Sequence, residues 1–172
     1  MLAANDPGSQ ESALSNVPDA ERRAAETRLW LQVLNLHRIV YADLNTALSE
    51  RFGLSVPKFD VLSHLHRYPE GLAMGELSRK LKVSNGNVSG LIARLGKDGY
   101  LHKEMTKDDR RSFRARLTDH GRRVFEEALD VHRQVVAAAM ASSPTPQIDR
   151  LTEGLKALVK GNDADGRRDD GP

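Results

Sequence analysis

The sequence predicts a mainly α fold with a small β-wing: a winged helix-turn-helix flanked by long helices. Three observations predict it. Within Val83–Tyr100, VSNGNVSGLIARLGKDGY, the apolar residues Val88, Leu91, Ile92 and Leu95 recur at helical spacing and leave a polar opposite face. After Gly99 the apolar period shortens, and Tyr100–Met105 and Ser112–Leu117 read as two strands of a hairpin. At either end of the chain lie long helical apolar repeats. Leu29, Val33, Leu36, Val40, Leu44 and Leu48 make the first, and Val124 through Ala139 the second.

The helix after Val83 carries the functional expectation. Ser84 is a natural N-cap, because its hydroxyl can accept from the free amides of the first turn, and Gly99 suits the C′ position. The polar face holds Asn85, Gly86, Asn87, Ser89, Gly90 and Arg94. These side chains are short or amide-bearing, unlike the Glu and Lys of an ordinary solvated helix. Such a face can approach base edges and phosphates closely. The surrounding charge agrees. Ser78 to Arg116 holds eleven cations against four anions, a local charge of +7 in a chain whose formal charge is only +2. A basic block in a near-neutral chain points to nucleic acid.

The remaining elements follow in order. Residues 1–19 read as a disordered arm and 161–172 as a disordered tail. A single domain spans 20–160, with 20–55 and 118–160 as dimerisation helices and 56–117 as the DNA-binding region. The dimerisation reading rests on apolar surface in excess of what one domain of this size needs. Gly53 stops the first helix, and Pro57 suits N1 of the second. Tyr68-Pro69-Glu70-Gly71 is a turn, and Met74–Leu81 is a short helix joined to the Ser84 helix through Lys82-Val83. The segment Thr106–Arg111, TKDDRR, forms the wing tip, where Arg110 and Arg111 suit a narrow minor groove and Asp109 can orient Arg111 or Arg94. Lys103 on the first wing strand suits the phosphate backbone. Thr118 caps the next helix, Ser143-Pro144-Thr145-Pro146 breaks it, and Ile148–Val159 forms the last.

Several functions are excluded. Without cysteine there is no disulfide, thiolate catalysis or thiol redox sensing. His64 and His66 stand at i and i+2, which do not share a helix face, so no metal site is expected. No Gly-rich phosphate loop, G-x-S-x-G elbow or H-E-x-x-H is present. No catalytic residue and no cofactor are expected. The N-terminus lacks a secretory signal pattern, and the longest apolar run, Val135–Ala141, is far short of the roughly 20 residues of a membrane span. The chain is expected to be cytoplasmic, without a membrane partner.

The element order and two motifs resemble the MarR (multiple-antibiotic-resistance regulator) family. Asp109-x-Arg111-xxx-Ala115-x-Leu117-Thr118-xx-Gly121 is similar to the family's wing signature, with Ala115 where Val or Ile is commoner. GELSRKLKVSNGNVSGLIARLGKDGYLHK resembles its helix-turn-helix from end to end. The resemblance covers about residues 25–160. It implies a homodimer on a pseudo-palindromic operator in double-stranded DNA, and a pocket where a small molecule weakens that binding. HRIVYADLNTALSERFGLSVPKFDVLSHL is similar to regulators of aromatic-acid catabolism, some of which answer to hydroxycinnamoyl-CoA thioesters.

If such a pocket exists, Trp30, Leu34, His37, Arg38 and Tyr41 of the first helix and Phe59, Leu62 and His66 of the second are its candidate walls. Aromatic surface mixed with ring nitrogens and a phenol suits a flat, partly polar ligand. Nearby arginines could meet a carboxylate or the phosphates of CoA. The leading expectation is therefore a repressor relieved by an anionic aromatic or acyl-CoA effector. A DNA-binding protein with no effector remains the alternative, and predicts a filled core in place of the pocket. An enzyme is not expected, since no βαβ pattern is left over for one.

Overall fold

The computed structural model describes residues 17–105 and 113–164. The chain falls into two units, 1–43 and 44–172. In the first, residues 17–43 are helical, and nearly every described side chain from Asp19 to Asp43 is exposed, Val33 and Val40 being half-buried. This is the greater part of helix α1, Val17–Phe52. It begins three residues before residue 20, inside the stretch expected to be an arm.

The second unit contains the end of α1 and then α2 (Val56–Arg67), β1 (Leu72–Ala73), α3 (Met74–Leu81), α4 (Asn85–Lys97), β2 (Leu101–Met105), β3 (Phe113–Leu117), α5 (Asp119–Met140) and α6 (Thr145–Ala164). Ser55 is the N-cap of α2, which places Pro57 at N2, one position later than expected. The last helix continues to Ala164, past the boundary at 160 drawn from the sequence.

The two caps read from the sequence form as the side-chain chemistry requires. Ser84 Oγ accepts from the Asn87 amide at 3.4 Å, and Thr118 Oγ1 accepts from the Gly121 amide at 2.9 Å. Helix α4 ends in a Schellman arrangement. Tyr100 N–H donates to Leu95 O at 3.0 Å and Gly99 N–H to Gly96 O at 3.1 Å, with Gly99 at φ 77°.

The sheet is antiparallel in the order β1-β3-β2. Leu101 pairs with Leu117 and Met105 with Phe113, so β2 and β3 make the expected hairpin. The two-residue β1, absent from the sequence reading, adds to the other edge of β3 through Leu72 opposite Ala115. One core closes this unit: Leu48, Leu62, Leu77, Ile92, Leu95 and Ala115 are all fully buried in it.

Lys82, between α3 and α4, is the one non-glycine residue at positive φ among the described residues, at 54°. A side chain there strains the backbone by about 1–3 kcal/mol, part of which glycine's greater unfolded-state entropy would offset. Lys82→Gly is therefore expected to stabilise the protein by about 1 kcal/mol, raising Tm by about 2–4 °C. Denaturant unfolding checks this, and an unchanged midpoint would contradict it.

Candidate nucleic-acid interface

Helix α4 buries one face and offers the other. Val88, Ile92 and Leu95 are fully buried. Asn85, Gly86, Asn87, Ser89 and Arg94 are exposed, as is Ser84 at the cap. With the apolar side fixed in the core, the rotation of the helix about its axis is set. The short polar side chains then point outward as a group. Because α4 follows α3 through a tight turn, it stands as the second helix of a helix-turn-helix, the one that enters a major groove in proteins of this architecture.

The basic block divides into two parts. Arg114 and Arg116 on β3, both counted in the +7, are turned onto the Pro69–Gly71 turn. Arg116 Nε donates to Pro69 O at 3.0 Å, and its Nη1 lies 3.2 Å from Glu104 Oε2. Arg114 Nη1 donates to Gly71 O at 3.3 Å, and its Nη2 lies 3.7 Å from Glu76. Gly71, at φ 79°, allows this closure, because a Cβ there would stand 2.7 Å from Ala115 O. These arginines brace the sheet. Lys80 Nζ is likewise engaged, 2.9 Å from Tyr68 Oη and 4.4 Å above its ring.

Lys103 on β2 is exposed. Beside it, a hydrogen bond from His102 and then one from Arg116 hold the Glu104 carboxyl below the ordinary carboxylate range. Any stability this adds is small for so exposed a pair; it is complete above the ordinary carboxylate value and is lost as pH falls from there through the lowered one. Arg110 and Arg111, with Asp109, lie outside the described residues.

The candidate effector residues fall in both units. Trp30, Leu34, His37, Arg38 and Tyr41 belong to the first and are exposed; the His37 and Tyr41 rings lie 5.6 Å apart, and Arg38 Nη2 donates to Asn35 Oδ1 at 3.0 Å. Phe59, Leu62 and His66 belong to the second. Leu62 is fully buried, and Phe59 is buried between the rings of Phe125, at 5.3 Å, and His132, stacked at 5.1 Å. His66 lies 4.8 Å from the Phe125 ring, with Nε2 3.3 Å from Glu126 Oε1. The structure thus joins Phe59 and His66 through Phe125. His132 is the partner that sequence reasoning missed, since it lies inside the Val124–Ala139 repeat and helical spacing does not single it out. His64 titrates below its ordinary value, first through burial and then through Arg67 and Lys80. Among the described residues no group of three or more His, Cys, Asp or Glu side chains could hold a metal ion. No helix among them is long and apolar enough to cross a membrane.

A three-stranded sheet packed on a helix-turn-helix with a solvent-facing second helix defines a winged-helix protein. The comparisons with known proteins narrow that class. Residues 52–112 match the MarR family model. A MarR family transcriptional regulator from Silicibacter pomeroyi is 40% identical, with a TM-score of 0.70 over 81% of this chain and 96% of that one. Sco3205, a MarR family transcriptional regulator from Streptomyces coelicolor solved in complex with DNA, is 26% identical, with a TM-score of 0.73 over 80% of this chain and 88% of that one. The transcriptional activatory protein BadR of Rhodopseudomonas palustris is 33% identical over 116 residues, 66% of this chain and 65% of that protein, just under two thirds of its length. The chain belongs to the MarR family of transcriptional regulators. These relatives are regulators and not enzymes.

Proposed function

We propose that the chain is a homodimeric DNA-binding transcriptional repressor that reads a pseudo-palindromic operator with helix α4 and is released by a small anionic aromatic effector or its CoA thioester. The observation that carries the DNA reading is the α4 face of Asn85, Asn87, Ser89 and Arg94, exposed opposite a fully buried Val88–Ile92–Leu95 row. That a similar regulator was solved in complex with DNA supports it. Arg110 and Arg111 are assigned to the minor groove on their residue type and place in the chain. The dimer reading draws on exposed apolar rows, Leu29–Tyr41 in one unit and Leu151–Val159 in the other. In such a dimer the recognition helices enter major grooves whose half-site centres lie about 10–10.5 bp apart, or a multiple of that.

Asn87→Ala should cost about 1–3 kcal/mol on the preferred sequence and less on random DNA, because an amide on a base edge discriminates. Lys103→Ala should weaken both alike and flatten the salt dependence by about one unit, because a phosphate contact carries no sequence information. Fluorescence anisotropy on the protein's own upstream region checks both. Equal losses on the two DNAs for Asn87→Ala would contradict base reading. A promoter reporter fixes the direction of control; one relative is named as an activatory protein, so activation is the outcome that would reverse the repressor assignment.

The effector reading draws on the residue types of Trp30, His37, Arg38, Tyr41 and His66. A second reading, DNA binding without an effector, draws on Phe59 and Leu62, which are packed into the core. Calorimetry with aromatic acids and their CoA thioesters separates the two. An effector that weakens DNA tenfold must itself bind tenfold more weakly to the DNA complex, a coupling of about 1.4 kcal/mol. Absence of binding across that panel would favour the second reading.

A further inference from the structure

Lys58 and Asp98 each break a local rule. Lys58 occupies N3 of α2, whose first turn holds no acidic residue. Asp98 is the C-cap of α4. The helix dipole disfavours a cation at an N-terminus and an anion at a C-terminus, so both charges are wrong-signed for the helix they sit on. They meet each other: Lys58 Nζ donates to Asp98 Oδ2 at 2.8 Å. The Lys58 side chain is only 18% exposed, and the pair links residues forty positions apart. By contrast, the Arg22–Glu26 pair joins neighbours on one helix with both side chains largely in solvent. Two residues further on, Tyr100 Oη donates to Phe52 O at 3.3 Å, a carbonyl at the C-terminal end of α1 that has no partner within its helix. The two contacts hold the same end of α4, one against the end of α1 and one against the start of α2.

We propose that Lys58, Asp98 and Tyr100 form a latch that fixes the angle at which the polar face of α4 is presented to DNA. Lys58 and Asp98 are thereby positioning residues for recognition rather than contacts to the nucleic acid. The proposal rests on the DNA-binding reading, and it makes a prediction opposite in sign to simple electrostatics. Removing an anion from a DNA-binding region ordinarily strengthens binding to the polyanion. If Asp98 acts through the latch, its neutralisation weakens binding.

The experiment is a cycle of Lys58→Met, Asp98→Asn and the double variant, with Lys58→Glu/Asp98→Lys as the reversed pair. Each is titrated with the upstream DNA and with random DNA at several salt concentrations. Amide exchange of Leu95–Tyr100 is followed in the free protein. The latch predicts that each single variant loses about three- to tenfold in affinity for the upstream DNA. The double variant should lose no more than either single, since the interaction can be lost only once. The salt dependence should stay unchanged, and Leu95–Tyr100 exchange should quicken equally in all three. The reversed pair puts each charge at the favourable helix end and should restore affinity while raising Tm. Asp98→Asn binding as tightly as wild type or tighter, losses that multiply in the double variant, or a salt dependence flattened by Lys58→Met would each overturn the proposal. The last result would make Lys58 a phosphate contact. Wild-type protein that binds no DNA removes the regulator reading; the latch then stands or falls on the exchange measurement, and unchanged exchange in the variants overturns it.

Discussion

Gly121→Ala is expected to destabilise the protein by about 3 kcal/mol, the upper end of what an added methyl costs in a packed site. A Cβ at position 121 would overlap Tyr100 O and stand 2.7 Å from Tyr100 C and 2.9 Å from Tyr100 Cα. All three atoms are backbone, so no side-chain rotation relieves the clash. Nor can Tyr100 move freely. Its carbonyl accepts from Thr118 N–H at 3.1 Å, and its own N–H closes the end of α4 on Leu95. Thr118 ties the same junction twice more, donating from Oγ1 to Gly99 O at 2.7 Å and accepting from Gly121 N–H at 2.9 Å. Admitting a methyl group means separating the first turn of α5 from the base of the wing. At about 2–4 °C per kcal/mol for a chain of this size, Tm should fall by about 10 °C. Gly75→Ala is the control: nothing lies within 4 Å of a Cβ there, and the helical position should gain about 0.5–1 kcal/mol. Thermal and denaturant unfolding of the two variants check the contrast. A loss below 1 kcal/mol for Gly121→Ala would mean that the close approach at Tyr100 is not made. The same contact gives a physical reason for glycine at the end of the Leu117-Thr118-xx-Gly121 motif.

The caps and turns that organise the recognition region were legible because their rules are local. The capping bonds of Ser84 and Thr118 each reach only three residues along the chain, and Gly99 sits where a positive φ is demanded. The apolar face of α4 was legible from periodicity alone. What escaped was non-local. Strand β1 has two residues, too few for any period, and exists because β3, far along the chain, offers an edge with Ala115 opposite Leu72. Arg114 and Arg116 looked like part of a DNA-facing block, since charge counting cannot show that their partners are carbonyls of a distant turn. Lys58 and Asp98 look like errors when each helix is read alone, and make sense only when the two helices meet. Phe59 and Leu62 show the same limit from the apolar side. Helical spacing identifies the inward face, but whether that face lines a cavity or fills a core depends on what Phe125 and His132 bring to it.

In the proposed dimer, Leu155→Glu is expected to leave a monomer. Leu151, Leu155, Leu158 and Val159 of α6 repeat at four and three residues along one face and are 57%, 43%, 50% and 47% exposed. Every described side chain from Leu151 to Asn162 is exposed as well. A lone 20-residue helix with so little burial is marginal in water and draws its stability from packing of its apolar face. Full burial of a leucine side chain is worth about 1.5–3 kcal/mol, so covering the exposed half of four such residues on each of two chains can hold a stable dimer. In a two-fold interface one substitution appears twice. A glutamate there removes an apolar contact and desolvates a carboxylate at two places. The dimer constant should therefore weaken at least a thousandfold, about 4 kcal/mol. Sedimentation velocity across a concentration series checks this. Circular dichroism should show the region around α4 still folded, since its core does not include Leu155. Operator binding should fall further than the unchanged recognition residues can explain, because two half-sites are no longer held by one particle. A Leu155→Glu variant that stays dimeric at low micromolar concentration would place the interface elsewhere, and a wild-type protein that sediments as a monomer there would remove the dimer from the proposed function.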